Sequence, residues 1–270
     1  MLRLGLIGDN IKPSRAPELH RQAGRLAGIE VSYDLLIPTE TGLDFDRLFE
    51  RCRAEGMRGL NITYPYKQRV VPKVRIDDPL VRRLGAINTV IFEDSGALGY
   101  NTDHSGFIAA YRAAFGAADP GRTVVLGAGG AGSAVAFGLI ALGASDLTII
   151  DSDIEKAEAL ALAIGDAAAV FVSPALDAAS ARADGIANCT PIGMAGRPGA
   201  PIDLALIGGQ RWAFEAIYTP RQTAFSLAAA AAGLDVLDGY QLFIHQGIDA
   251  FRLFTGRGVE EDALRAVLGG

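Results

Sequence analysis

The stretch Val124–Gly132, VVLGAGGAG, is followed by an apolar run that closes in LTIID at Asp151, and it reads as a strand, a phosphate turn, an apolar helix and a second strand. Gly127, Gly129 and Gly132 fit the G-x-G-x-x-G spacing. The first permits a tight turn, the second lets backbone approach a pyrophosphate, and the third lets the following helix pack against the strand. No side chain is needed there, because the N–H groups and partial positive charge of a helix N-terminus hold the phosphates. Gly127, Ala128, Gly129, Gly130, Ala131 and Gly132 therefore form the candidate cofactor cradle. Asp151 ends the second strand, where a carboxylate accepts hydrogen bonds from both ribose hydroxyls. Glycine-rich turns also close ordinary β–α junctions. Strand, turn, helix and terminal acid together point beyond that, to NAD.

Working outward, the chain of 270 residues is half hydrophobic, enough for one large or two medium domains with real cores. A net charge of -6 with a pI near 5.1 gives no electrostatic reason to expect nucleic acid or an anionic membrane, both of which reward a basic face. A small-molecule ligand fits better, with the protein a monomer or homodimer. Cys52 and Cys189 lie far apart without a CxxC or CxxH neighbour, so neither zinc nor a disulfide framework is suggested. The opening MLRLGLIGDN is too short and too polar for a signal peptide, which makes the cytoplasm the expected compartment. FSLAAAAAGL at 225–234 is helical filler of soluble length, so no membrane span is expected.

Three zones follow. Over 1–103, the apolar segments LRLGLIG, VSYDLLI, GLNITY and NTVIFE alternate with the helical patterns APELHRQAGRLAG and LDFDRLFERCRAEG, which predicts an α/β substrate or catalytic domain. Over 104–238, VVLGAG, LTIID, GIANCT and WAFEAIY continue the alternation around the glycine turn, as a dinucleotide-binding Rossmann domain does. Over 239–270, YQLFIHQGIDAFRLFTG has helical spacing.

Polar residues gather at strand ends in four clusters: PSRAPELH from Pro13, GLNITYPYKQ from Gly59, LGAINTV from Leu84 and GYNTDHSGF from Gly99. Each has a plain structural explanation. Asn and Thr after a strand commonly cap the next helix, Pro65 suits a turn, and Lys67 could be one more solvated lysine. His20 and His245 read as structural.

Together the clusters resemble the shikimate/quinate dehydrogenase family over nearly the whole chain. The family's S-x-S/T-P-x-x-H, N-[IV]-T-x-P-x-K, GA[IV]NT and G-x-NTD-x-x-G-F motifs stand here as SRAPELH, NITYPYK, GAINT and GYNTDHSGF, in order. LGAGGAGSAVAFGL, NCTPIGM, IYTPRQT and HQGIDAFRLFTG continue the likeness. The resemblance implies a two-domain α/β fold whose C-terminal helices return to the first domain. It also implies oxidation of a ring hydroxyl on a cyclohexane carboxylate. Asp151, standing where the NADP-using enzymes carry an Asn-Arg-Thr type loop, places the chain nearest the NAD-using quinate/shikimate branch.

The same resemblance implies roles. Lys67 and Asp103 match the catalytic pair that holds the reacting hydroxyl and handles its proton, best described as a proton shared by a dyad. Thr63, Asn88 and Gln246 match positions that hold ring hydroxyls, Ser14 and Tyr218 match those that hold the carboxylate, and Thr190 lies in the cofactor loop NCTPIGM. One position departs: the second hydroxyl of S-x-S/T is Ala16. A hydrogen bond to a charged group contributes about 1.5 to 3 kcal/mol, so the departure bears on which substrate is bound. Related cyclitol or amino-substituted ring acids stay open beside quinate and shikimate. So do a silent NAD-binding regulator and another Rossmann oxidoreductase, although a retired enzyme has no physical need to keep Lys67 and Asp103.

Overall fold

A computed structural model of the chain describes residues 1–165, 169–172, 179–180 and 182–269. It divides into two compact units, Met1–Thr102 with Ile244–Gly270, and Asp103–Phe243. Each has its own sheet.

In the first unit, β1 (Leu2–Ile7), β2 (Val31–Leu36), β3 (Gly59–Ile62), β4 (Thr89–Glu93) and β5 (Gly96–Tyr100) lie in the order β2-β1-β3-β4-β5. β1 runs parallel to β2 and β3, and the β3–β4 and β4–β5 pairs are antiparallel. The helices are α1 (Ala16–Ala27), α2 (Pro38–Thr41), α3 (Phe45–Ala54) and α4 (Pro79–Leu84). α3 starts where Asp44 accepts a hydrogen bond from Arg47 N, and it lays Phe45, Leu48, Phe49 and Cys52 into a core with Ile7, Leu60, Ile62 and Val90. All four residues of β3 are buried, which explains its nearly unbroken apolar reading.

The second unit carries α5 (Thr102–Phe115), β6 (Arg122–Leu126), α6 (Gly130–Ala141), β7 (Asp146–Ile150), α7 (Ile154–Ile164), β8 (Ala169–Val172), β9 (Gly185–Asn188), β10 (Trp212–Glu215), α8 (Ala224–Ala231) and β11 (Asp235–Leu237). Its strands are all parallel in the order β11-β10-β9-β6-β7-β8. Counted along the chain this is the 3-2-1-4-5-6 order of a Rossmann sheet, and it reverses between β6 and β9. Leu126 and Asn188 face each other at the carboxyl end of that switch point, where such sheets bind their ligands.

Two helices close the chain, α9 (Gly239–Thr255) and α10 (Glu261–Leu268), and the passage into the first unit falls inside α9. Gly247 sits so near α1 that a Cβ there would meet Leu19 Cδ1 at 2.6 Å. Arg15 donates to Leu268 O and Arg58 Nε donates to Phe254 O at 3.3 Å. The C-terminal helices thus complete the first unit's core. Among the described residues, no helix is long and apolar enough to cross a membrane.

That closure encloses a histidine. His20 on α1 is 1 % exposed, stacked on Tyr33 at 4.8 Å and edge-on to Phe254 at 5.7 Å. Burial pushes its imidazole down from 6.5 to about 3, against a smaller upward pull from Asn61. The folded state keeps His20 neutral while the unfolded chain protonates it, so this group takes stability away as pH falls below 6.5 toward 3. At about 1.4 kcal/mol per pH unit, acidifying from about pH 6.5 to about 4.5 should cost wild type about 2 to 3 kcal/mol through His20 alone. His20→Gln should flatten that part of the slope. Urea unfolding across the range checks this, and parallel pH slopes for the two proteins would refute it.

Candidate active site

The glycine turn begins where β6 ends. Gly127 takes φ +95°, a left-handed conformation that other residues adopt at a cost, and its N–H donates to Ile150 O at 2.7 Å. A Cβ on Gly127 would meet the Cys189 carbonyl and Thr190 Cγ2 at 3.1 and 3.2 Å, so the turn lies directly on the loop after β9. A Cβ on Gly132 would collide with Gly127 O, which is why α6 can start so close to the strand. At Gly129 a Cβ would meet nothing within 4 Å. The residues therefore fit a dinucleotide: open space over Gly129, with Gly129, Gly130 and Ala131 half-exposed at the N-terminus of α6 and Gly132–Leu139 buried behind them.

Asp151 follows β7. Its Oδ2 accepts from Ala128 N at 2.7 Å, and its Oδ1 accepts from Asp153 N at 2.9 Å and Ser152 Oγ at 3.4 Å. A carboxylate has about four lone-pair sites, so with these three bonds made, acceptor capacity remains on Oδ2 for one hydroxyl group. Asp153 is half-buried and pairs with Lys156 at 3.1 Å, whose hydrogen bond holds its carboxyl below the usual range.

Across the switch point, β9 and β10 end in a buried polar knot. Asn188 Nδ2 donates to Glu215 Oε1 and Oε2 at 3.0 and 3.1 Å. Asn188 Oδ1 accepts from Thr190 N and Thr190 Oγ1 at 3.0 and 2.8 Å. Glu215 also accepts from Ile217 N at 3.0 Å and from Thr223 Oγ1 at 2.6 Å. Desolvation raises the Glu215 carboxyl above the usual range, while Thr223, Ile217 and Asn188 oppose the rise. WAFEAIY reads as a strand and gives Glu215 no role of its own; a lone acid inside an apolar run is the sequence signal that marks it. Tyr218 is half-buried and stacks on Phe243 at 4.6 Å.

In the first unit, the loops after β1 and β3 carry Ser14, Thr63 and Lys67 at neighbouring parallel strand ends. Thr63 N donates to Ile7 O at 2.9 Å and Asp9 N to Tyr64 O at 3.1 Å, tying the two loops together. Lys67 is half-buried, and its carbonyl accepts from Ile87 N at 2.8 Å, one residue before Asn88. Ser14 Oγ accepts from Ala16 N at 3.2 Å, and the Ala16 methyl is buried at the first turn of α1.

Asn88 is a hub. It donates from Nδ2 to Thr102 Oγ1 at 2.9 Å, and its Oδ1 accepts from Thr102 N at 2.8 Å and Thr89 Oγ1 at 3.0 Å. Thr102 Oγ1 in turn reaches Gln246 Oε1 at 3.4 Å. Asn61 donates to Thr89 Oγ1 and receives the Tyr33 hydroxyl at 2.8 Å. The structure thus joins Asn88 and Gln246 through Thr102, to which the GYNTDHSGF motif by itself gives no role. Thr102 opens α5, so the Asn88 side chain fixes the backbone immediately before Asp103, which is 7 % exposed. Asp103 and Tyr218 belong to the second unit, with the glycine turn, Asp151 and Thr190.

Residues 6–90 match the family model of the shikimate dehydrogenase substrate binding domain. The chain is 40% identical to a shikimate dehydrogenase (NADP(+)) of Pseudarthrobacter chlorophenolicus, over 97% of this chain and 92% of that protein. It is 38% identical to a quinate/shikimate dehydrogenase (NAD(+)) of Corynebacterium efficiens, over 97% and 96%. The solved quinate dehydrogenase of Corynebacterium glutamicum in complex with NAD superposes with a TM-score of 0.87 at 36% identity, covering 99% of this chain and 98% of that one.

The glycines separate two roles that substitution can resolve. Gly129→Ala should leave the stability of the protein without nucleotide within about 0.5 kcal/mol, because its backbone and surroundings accept a methyl. It should weaken dinucleotide binding at least tenfold by filling the space over the turn. Gly132→Ala should lower stability itself, by about 2 kcal/mol or more, through the clash with the turn. Denaturation with and without nucleotide, beside direct titration, checks both. Equal effects of the two substitutions on stability would be the contrary result.

Proposed function

The chain belongs to the shikimate dehydrogenase family, and from that premise we propose an NAD-dependent dehydrogenase of quinate- or shikimate-type ring acids. It oxidises a ring hydroxyl of a cyclohexane or cyclohexene carboxylate to the ketone, reversibly. A bound nicotinamide supplies the hydride acceptor. The protein's own residues handle the rest: the ring carbon gives up its hydrogen with both bonding electrons, and the hydroxyl proton passes to Lys67 and Asp103, acting on one proton. Thr63, Asn88 and Gln246 take the ring hydroxyls, and Ser14 and Tyr218 the carboxylate. A site of buried amides and hydroxyls rejects analogues that leave those groups unpaired. The buried methyl of Ala16 favours, as a second reading, a ring acid with an amino or less polar substituent.

The observation that carries the choice of NAD is the Asp151 carboxylate, fixed by Ala128 N at 2.7 Å beside the glycine turn. A ribose offers it hydroxyl donors. A 2'-phosphate meets repulsion of about 4 kcal/mol per charge pair at contact in an effective dielectric near 20, less after screening. Relatives of both cofactor types are comparably similar to the chain, so this residue decides.

Quinate, shikimate and their amino analogues, each tested with NAD and NADP by reduced-nicotinamide absorbance, form the primary experiment. NAD should win by at least a hundredfold in kcat/KM. Comparable efficiencies would remove Asp151 from its assigned role, and no turnover on any ring acid would remove the reading itself.

The proton assignment has its own test. Lys67→Met and Asp103→Asn should each lower turnover by about 10² to 10⁴-fold while leaving NAD binding nearly intact. Because one proton is shared, the double variant should be scarcely slower than the poorer single one. A double loss equal to the product of the singles would show that the two residues act independently.

A further inference from the structure

Glu215 is 0 % exposed, the most deeply buried carboxylate among the described residues, and no step of the proposed reaction uses it. Burying a carboxylate costs free energy that apolar packing would not, so its partners show what it is there to hold. Through Asn188 it reaches Thr190: Asn188 binds both carboxylate oxygens with its amide nitrogen and both Thr190 N and Thr190 Oγ1 with its amide oxygen. Through Ile217 N it fixes the backbone immediately before Tyr218. Through Thr223 it pins the start of α8, where the same hydroxyl accepts from Ser226 N at 3.1 Å. Gly193 closes the knot, since a Cβ there would touch Thr223 at 3.3 Å and Ile217 at 3.4 Å. Thr190 Cγ2 lies against the Gly127 turn. One carboxylate therefore ties the loop after β9 to the loop after β10, beside the switch point of the sheet.

We propose that Glu215 is a positioning residue for hydride transfer: its carboxylate, acting through Asn188 and Ile217, sets the loop carrying Thr190 relative to the segment carrying Tyr218, and so aligns the reacting end of the dinucleotide. This rests on the dehydrogenase reading. The glycine turn and Asp151 do not touch Glu215, so overall cofactor affinity is expected to be independent of it, whereas alignment is not. A displacement of about 1 Å at reacting atoms is enough for about a hundredfold in rate.

The test is Glu215→Gln in the full-length protein, which keeps the shape but turns an amide nitrogen toward donors. kcat on the best ring acid should fall ten- to a hundredfold, and the primary deuterium isotope effect on kcat, measured with substrate deuterated at the reacting carbon, should rise. The dissociation constant of NADH, read by fluorescence, should change less than threefold. Adding Asn188→Asp to Glu215→Gln exchanges amide and carboxylate within the pair and should recover most of kcat. An unchanged kcat in folded Glu215→Gln, or a loss shared equally by NADH affinity and unfolding midpoint without recovery in the exchanged pair, overturns the proposal. If Glu215→Gln does not fold, Thr223→Val decides: a severalfold drop in kcat at constant NADH affinity supports the assignment and an unchanged kcat removes it. Wild-type protein inactive on every ring acid would remove the reading together with this inference, whereas active wild type with active Glu215→Gln removes the inference alone.

Discussion

The close approach of Gly132 to the carbonyl of Gly127 is the constraint on which the nucleotide unit depends. A helix can begin three residues after the first glycine only if no Cβ stands between its first turn and the preceding strand, and that spacing leaves Gly129–Ala131 half-exposed while Gly132–Leu139 are buried. The same turn rests on the Cys189 carbonyl and Thr190, so the helix, the turn and the loop after β9 are positioned by one contact surface. Parallel pairing of β6 with both β7 and β9 then brings Asp151 and Asn188 to the same end of the sheet. Every nucleotide-side residue assigned a role stands within a few residues of that edge.

The first unit solves a different problem, how to bury polar side chains where strands change direction. Its sheet turns from parallel to antiparallel at β3, and there Asn61 and Thr89 are register partners whose side chains bond each other. Asn88, one residue before β4, spends its amide on Thr102 rather than on a turn of its own. Fully partnered networks of this kind rigidify their surroundings, since each member left unpaired would cost its desolvation. Rigidity here falls on the backbone that leads into Asp103.

The sequence was most legible where period and punctuation agree. VVLGAG, LTIID and GIANCT are apolar runs bounded by glycine or polar residues, and each contains a strand of the parallel sheet. β5 is hard to read because GALGY carries two glycines in five residues, which leaves too few side chains to show an alternation. β11, three residues at a sheet edge, is too short for any period to show. Among site residues, Ser14, Thr63, Lys67, Asn88 and Asp103 stand in polar clusters at strand ends, whereas Tyr218 and Gln246 are marked only by the family resemblance. Thr102 and Asn61 lie inside the polar clusters and Glu215 stands alone in an apolar run, but what each of them bonds to is a property of neighbouring strands and helices that the sequence does not display.

Asp151 shows why cofactor choice in this family resists reading from membership alone. Its carboxylate accepts two backbone N–H groups, one from the glycine turn and one from its own loop, before any ribose is present. The charge proposed to select against a 2'-phosphate is therefore also a structural acceptor for the glycine turn. Removing it would relax the electrostatic barrier and at the same time leave Ala128 N, in a residue 2 % exposed, without its acceptor. On the proposed reading, selectivity and turn geometry are one constraint at this position. From the proposed NAD preference, a change toward NADP requires a new acceptor for Ala128 N as well as a cation for the phosphate, which is more than a single substitution supplies.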